Sequence, residues 1–290
     1  MAPSITGPLV IWKNVAIGII MSIHERISAV VSLILIGLVS YIILDVPGQL
    51  IDVPWFDVSI LVPQRGLLII LLAGLAMAGM DKVIRTQPDS PAIQFSYAAT
   101  FWMLPGLLVA VATQALGLAS TPIFWLVGIG VAGGLLWLTM MAGFKETASY
   151  RLQTDQLRWG QLWEQLMGYS LALACFLLIY QLIISSVSIA VGIFFVTVLL
   201  ALPLLRQRPE NVAKTWLFSL VIGLSLAQIG WVFSYWHASP IKKGLLLLIT
   251  FYICISLARQ QLTSLLSRKT VWEFSTIAVI ALLIVFSLQI

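Results

Sequence analysis

Residues 122–144 read PIFWLVGIGVAGGLLWLTMMAGF, and Lys145 and Glu146 follow at once. No Asp, Glu, Lys, Arg or His interrupts the run. At 1.5 Å per residue such a helix is about 34 Å long, enough to cross a hydrocarbon layer of about 30 Å. A helix on the surface of a soluble domain keeps a charged stripe toward water, and this one has none. The stretch predicts a transmembrane helix and sets the class of the whole chain.

The remaining sequence repeats that pattern. Of 290 residues 60% are hydrophobic and 9% charged, against roughly 25% charged in a soluble domain. Runs long enough to span, or nearly so, occur at 27–44, 66–80 with an extension back toward Ser59, 101–113 with an extension from Pro91, 122–144, 166–184, 187–205, 216–235, 243–258 and 271–290. The fold class expected is all-α, a polytopic transmembrane helix bundle of about nine spans with its N-terminus inside and C-terminus outside. The loops support that count. On alternating sides, Lys13, Arg26, Lys82, Arg85, Lys145, Arg151, Arg158, Arg206, Arg208, Lys214, Arg259, Arg268 and Lys269 fall on one face. Arg65, Lys242 and Lys243 fall on the other, so 13 of 16 basic residues share the inner face, as the positive-inside rule requires. The chain is expected to be a multi-pass protein of the cell (plasma or inner) membrane.

Residues 1–290 are expected to form a single integral membrane domain with two interfacial parts. Residues 1–26 carry an apolar stretch from Pro8 to Met21, interrupted by Lys13 and Asn14, which reads as a helix on the inner leaflet. Within 145–165, Trp159, Leu162, Trp163 and Leu166 recur at helical spacing beside Arg151, Asp155 and Arg158. That pattern reads as an amphipathic inner-surface helix feeding the fifth span. No cleavage site follows the first long run, so it is expected to be a retained signal-anchor.

Three small-xxx-small pairs, Gly74 with Ala78, Gly130 with Gly134 and Gly223 with Ala227, predict close helix seams. No internal repeat is visible, and an inverted-repeat transporter is not expected. Most tryptophans, among them Trp102, Trp125, Trp216, Trp231 and Trp236, fall near span ends, where they form an aromatic belt. Cys175 and Cys254 lie inside apolar runs without partner cysteines and read as small buried hydrophobes.

The placement of charge bears most directly on function. No ionisable residue falls near the centre of a span, although ion-coupled carriers commonly keep one there. The mid-span polar groups are amides and hydroxyls, notably Gln181 and Gln228, expected to hydrogen-bond between helices. The ionisable residues gather instead at inner span ends. His24, Glu25, Arg26, Asp81, Lys82, Arg85, Lys145, Glu146, Arg151 and Glu273 form the candidate inner-leaflet polar cluster, with Glu164 and Arg259 at neighbouring span ends. If the helices converge, a carboxylate base there would stand beside phosphate-binding cations. The plainer reading is headgroup anchoring by cations paired with neighbouring carboxylates.

His24 and His237 lie at opposite ends of spans, so they cannot clamp one haem. No metal ligand set, P-loop, HExxH, GxSxG or aspartate-rich magnesium motif occurs. No catalytic, cofactor-binding or metal residue is therefore assigned, no cofactor is expected, and the balance is against an enzyme. The net charge of +5 is scattered among loops, which argues against nucleic acid. The partners expected are the lipid bilayer and other membrane subunits. The leading functional expectation is a non-catalytic membrane subunit or assembly scaffold. A permease or flippase for a neutral or lipid-like solute stands nearly level with it, and an inner-leaflet enzyme on a lipid-linked substrate stands third. A groove reaching the bilayer centre is what the permease reading requires.

Overall fold

The structure is a computed structural model that describes residues 7–43, 49–53, 58–62, 64–85, 95–149, 156–183, 185–206 and 212–262. Eight helices occupy most of them: α1 (Gly7–Ile43), α2 (Gln64–Ile84), α3 (Phe95–Leu118), α4 (Pro122–Ser149), α5 (Gln156–Leu182), α6 (Ser186–Leu204), α7 (Val212–Ser234) and α8 (Pro240–Leu262). Each contains a stretch long and apolar enough to cross a membrane. The protein is thus a multi-pass helical membrane protein. The expected spans fall within these helices to within a few residues, except Val271–Ile290, which lies outside the described residues.

The helices close into two four-membered rings. In the first, α1 packs on α2, α2 on α3, α3 on α4, and α4 returns to α1. The second repeats this cycle with α5, α6, α7 and α8. The rings meet where α3 and α4 abut α5 and where α3 abuts α6. Fully buried Ile27, Ile34, Leu38, Leu136 and Met140 fill the first ring, and Phe176, Ile193 and Phe251 the second.

Outward side chains follow the membrane solution. Leu33, Ile36, Ile70, Leu126, Val187 and Leu217 are all more than half exposed, which suits a lipid-facing surface. Several Ser and Thr hydroxyls within spans turn back on their own helix: Thr139 Oγ1 donates to the Leu135 carbonyl at 2.7 Å and Ser219 Oγ to the Thr215 carbonyl at 2.8 Å. Hydrocarbon offers no water to satisfy such groups. Gln181 and Gln228 depart from the expected interhelical bonding, since both are exposed and neither has a hydrogen-bond partner among the described residues.

The segments between spans also differ from expectation. α1 runs unbroken from Gly7 through the first span, so the N-terminal stretch and that span are one helix. Residues 145–149 finish α4, and 156–165 form the first turns of α5. A two-stranded hairpin lies between α1 and α2, and its second strand stands where the second span was expected to extend back toward Ser59. β1 (Gln49–Val53) pairs antiparallel with β2 (Val58–Val62), Gln49 opposite Val62 and Val53 opposite Val58. Ile51, Val53, Val58, Ile60 and Val62 supply the β-branched residues that favour extended chain, and Pro54 follows β1 directly.

Of the three small-residue pairs, one forms a tight seam. Gly223 and Ala227 are buried where α7 meets α6. A Cβ at Gly223 would stand 2.5 Å from Val198 Cγ2 and 3.3 Å from the Phe194 carbonyl oxygen. Val198 is β-branched and cannot swing clear. Gly74 and Ala78, by contrast, are exposed, as are Gly130 and Gly134, and a Cβ at Gly74, Gly130 or Gly134 meets nothing within 4 Å. Gly223→Leu is therefore expected to destabilise the fold by about 1–3 kcal/mol through overpacking. Gly134→Leu should be neutral or slightly stabilising through helix propensity. Thermal unfolding of both variants in one detergent checks the contrast; equal losses would contradict the seam.

Candidate functional site

Three charged side chains converge at the ends of α4, α5 and α6, where the rings join. Arg206 lies two residues past the end of α6, and its side chain is only 3% exposed. Its Nη2 donates to Glu164 Oε1 at 2.5 Å and Oε2 at 2.6 Å, and also to Glu146 Oε2. Glu146 comes from the last turns of α4 and Glu164 from the third turn of α5. The two glutamates are 16% and 13% exposed, so the cluster is largely withdrawn from solvent.

The guanidinium carbon also lies 3.5 Å from the centroid of the Phe101 ring on α3, a cation–π contact strengthened by desolvation. Burial pulls the Arg206 pKa down, but the charges of Glu146 and Glu164 outweigh it and hold the group above its ordinary range. Arg206 is thus a fixed cation joining α3, α4, α5 and α6. Beside it, Arg259 Nη2 donates to the Leu204 carbonyl at 2.6 Å. That bond ties α8 to the buried C-terminus of α6, where a cation is favoured.

A groove begins just beyond this cluster. It has a volume of about 840 Å³ and runs between α3, α4 and α5. Leu108, Leu116, Ala132, Met167 and Leu171 form a buried floor, while Leu118, Phe124, Val131 and Leu166 are exposed at the rim. The groove therefore opens sideways, toward the bilayer. Its depth follows from helix register. Gly160 of α5 sits against α4, where a Cβ would stand 3.6 Å from the Ala142 carbonyl oxygen. Trp163, three residues along the antiparallel α5, is then level with Thr139. From there to Phe124, at the other end of the groove, is about 22 Å of helix rise. The groove thus crosses the middle of a layer about 30 Å thick.

Among the ten sequence-selected residues, Glu146 belongs to this cluster. Asp81 and Arg85 pair with each other, Arg85 Nε standing 2.7 and 2.8 Å from the two carboxylate oxygens. His24 stacks on Trp137 at 5.9 Å between ring centroids. Glu25, Arg26, Lys82 and Lys145 are exposed, in keeping with anchoring at the headgroups. Arg151 and Glu273 lie outside the described residues. Arg206, Glu164 and Phe101 were not selected. The signal for Glu164 was its position among Trp163, Leu162 and Leu166. In the structure Leu162 and Leu166 are about 60% exposed and Glu164 turns inward instead.

A family model described as "Protein of unknown function (DUF5656)" matches residues 53–288. The chain belongs to this family. Helices α2 to α8, the charge cluster and the groove all fall inside the matched region, and α1 precedes it. No curated protein and no solved structure matches the chain.

Removing Arg206 leaves two carboxylates buried without their cation, a loss of about 3–5 kcal/mol. Arg206→Gln is expected to lower the thermal midpoint sharply. Arg206→Lys should recover part of that loss, because both glutamates accept from the single nitrogen Nη2, which an ammonium can replace, while the face contact with Phe101 is lost. The triple neutral variant Arg206→Gln, Glu146→Gln, Glu164→Gln should be more stable than Arg206→Gln alone. The reverse order would show that the cluster is not a charge clamp.

Proposed function

We propose that this protein takes the apolar chain of a lipid-like solute into the α3–α4–α5 groove and serves as its permease or flippase. The observation that carries the reading is the groove's reach, about 22 Å along the helices. A groove confined to one leaflet would hold a lipid tail but offer no path between leaflets. The floor is apolar, the opening is lateral, and the volume of about 840 Å³ lies within the usual range for a small-molecule site.

The absence of charge from the described span centres fits a neutral or lipid-like cargo. Moving a chain from lipid into the groove gives little hydrophobic gain, because both surroundings are hydrocarbon. Selection must then come from packing against Ala112, Ala132 and Ala174, small side chains that leave room for the chain. The Arg206 cluster holds the inner ends of all three groove helices at fixed spacing. It acts as a clamp that fixes the spacing of the helices at that end of the groove.

The groove supports this role over that of a purely structural subunit. An acid–base site is less well supported, since Glu146 is engaged by Arg206 and Glu25 is exposed. Proteoliposomes containing a head-labelled fluorescent phospholipid test the proposal. With the full chain present, inner-leaflet label is expected to become accessible to an external, membrane-impermeant quencher at least several-fold faster than in empty vesicles. Ala112→Phe with Ala174→Phe should fill the groove and return the rate to background, while Val127→Phe on the outer face of α4 should leave it unchanged. Equal rates with and without protein would sink the flippase reading for this cargo.

A further inference from the structure

The charge cluster at the ring junction is unbalanced. Glu164 Oε1 and Oε2 accept from Arg206 Nη2 at 2.5 and 2.6 Å, and Glu146 Oε2 accepts from the same nitrogen. Two carboxyl groups thus face one cation. Drawn onto one atom, their oxygens stand within about 5 Å of each other, close enough that each charge opposes the other's ionisation. The two groups are also in hydrogen-bonding range of one another. Ionised carboxylates are acceptors alone, so a hydrogen bond between them needs a proton. Asp81 and Arg85 show the balanced form, one carboxylate on one guanidinium, and water reaches both at 28% and 47% exposure. Glu146 and Glu164, at 16% and 13%, have little water to share their charge.

Among the described residues, the neighbouring helices bring no second cation to the pair. The charges acting on Glu164 are those of Arg206 and Glu146. α3 presents the Phe101 ring and Tyr97 to Arg206, and neither is a cation. Lys145 of α4, Arg26 of α1, Lys82 of α2 and Lys214 of α7 are exposed, as is Glu25. Arg85 is engaged by Asp81, and Arg259 of α8 by the Leu204 carbonyl.

We infer that Glu146 and Glu164 hold one proton between them at neutral pH, which makes the clamp a proton-binding site. With that proton the cluster is neutral, Arg206 facing a single negative charge spread over the pair. Without it a negative charge is left in excess where water is nearly excluded, an arrangement that low dielectric makes costly. An unfolded chain ionises both groups at neutral pH, since an unperturbed glutamate has a pKa of about 4.3. Folding therefore takes up a proton at this site, and raising the pH opposes it. Loss of the proton sets the two glutamates against each other and loosens α4 from α5 at the end of the groove. The inference concerns the clamp and does not depend on what the groove carries.

Infrared absorption of the full chain in lipid nanodiscs at neutral pH tests it. The expected result is the carbonyl band of one protonated carboxylic acid per chain, displaced when the glutamates carry carbon-13. Glu146→Gln and Glu164→Gln should each abolish the band, because the remaining carboxylate then has Arg206 to itself and ionises. Asp81→Asn should leave it unchanged. Thermal unfolding gives a second reading. The unsubstituted chain should lose more of its thermal midpoint between neutral and alkaline pH than Glu146→Gln does, and equal losses would contradict the inference. Absence of the band at neutral pH would overturn it, whether both glutamates ionise beside Arg206 or a cation outside the described residues balances them. A band that survives either glutamine substitution would place the proton on another group, which overturns it as well.

Discussion

Everything at the ring junction depends on one buried cation. Arg206 sits 3% exposed between Glu146 and Glu164 with its carbon over Phe101. Through those contacts a residue just past α6 reaches three other helices. Helices in a bilayer have no hydrophobic drive to associate, so packing and polar contacts must hold them. Most of this bundle uses packing, as in the Gly223 seam. At the inner ends of α4 and α5 the load passes to charge, where desolvation makes an intact cluster tolerable and a broken one costly.

The clamp and the groove are consequences of one arrangement. Three helices held together at one end by a charge cluster, and lined above it by alanines and a glycine, must leave a space between them. Ala112, Ala115, Ala132 and Gly128 are too small to fill it. Larger residues at those positions would have closed the junction into another solid seam. The sequence thus invests small side chains and a buried ion pair in keeping the rings apart along α3, α4 and α5, while α2 against α3 and α6 against α7 pack extensively within their rings.

Much of the fold was legible in the sequence. Hydropathy located the eight described spans within a few residues of their helices, because a bilayer imposes nearly fixed length and composition on each. The site was less legible, since hydropathy is blind to helix rotation. Glu164 was read only as a charge at a span end, and no sequence pattern told that it faces the bundle while Leu162 and Leu166 face lipid. Glu146 and Arg206 are sixty residues apart in the chain and carry no shared motif. Their meeting depends on which helices are neighbours, which no local pattern encodes. The exposed amide of Gln228 was misjudged for the same reason: a period of 3.6 shows that a face exists but not which way it points.

The most direct test of the account is an electron cryomicroscopy map of the full chain in lipid nanodiscs, inspected between α3, α4 and α5. The expected result is an elongated density of one apolar chain running from the level of Phe124 past Ala132 to Trp163, with Arg206 still bridging Glu146 and Glu164 beneath it. A junction in which side chains or a segment of the protein itself fill that space would contradict the account.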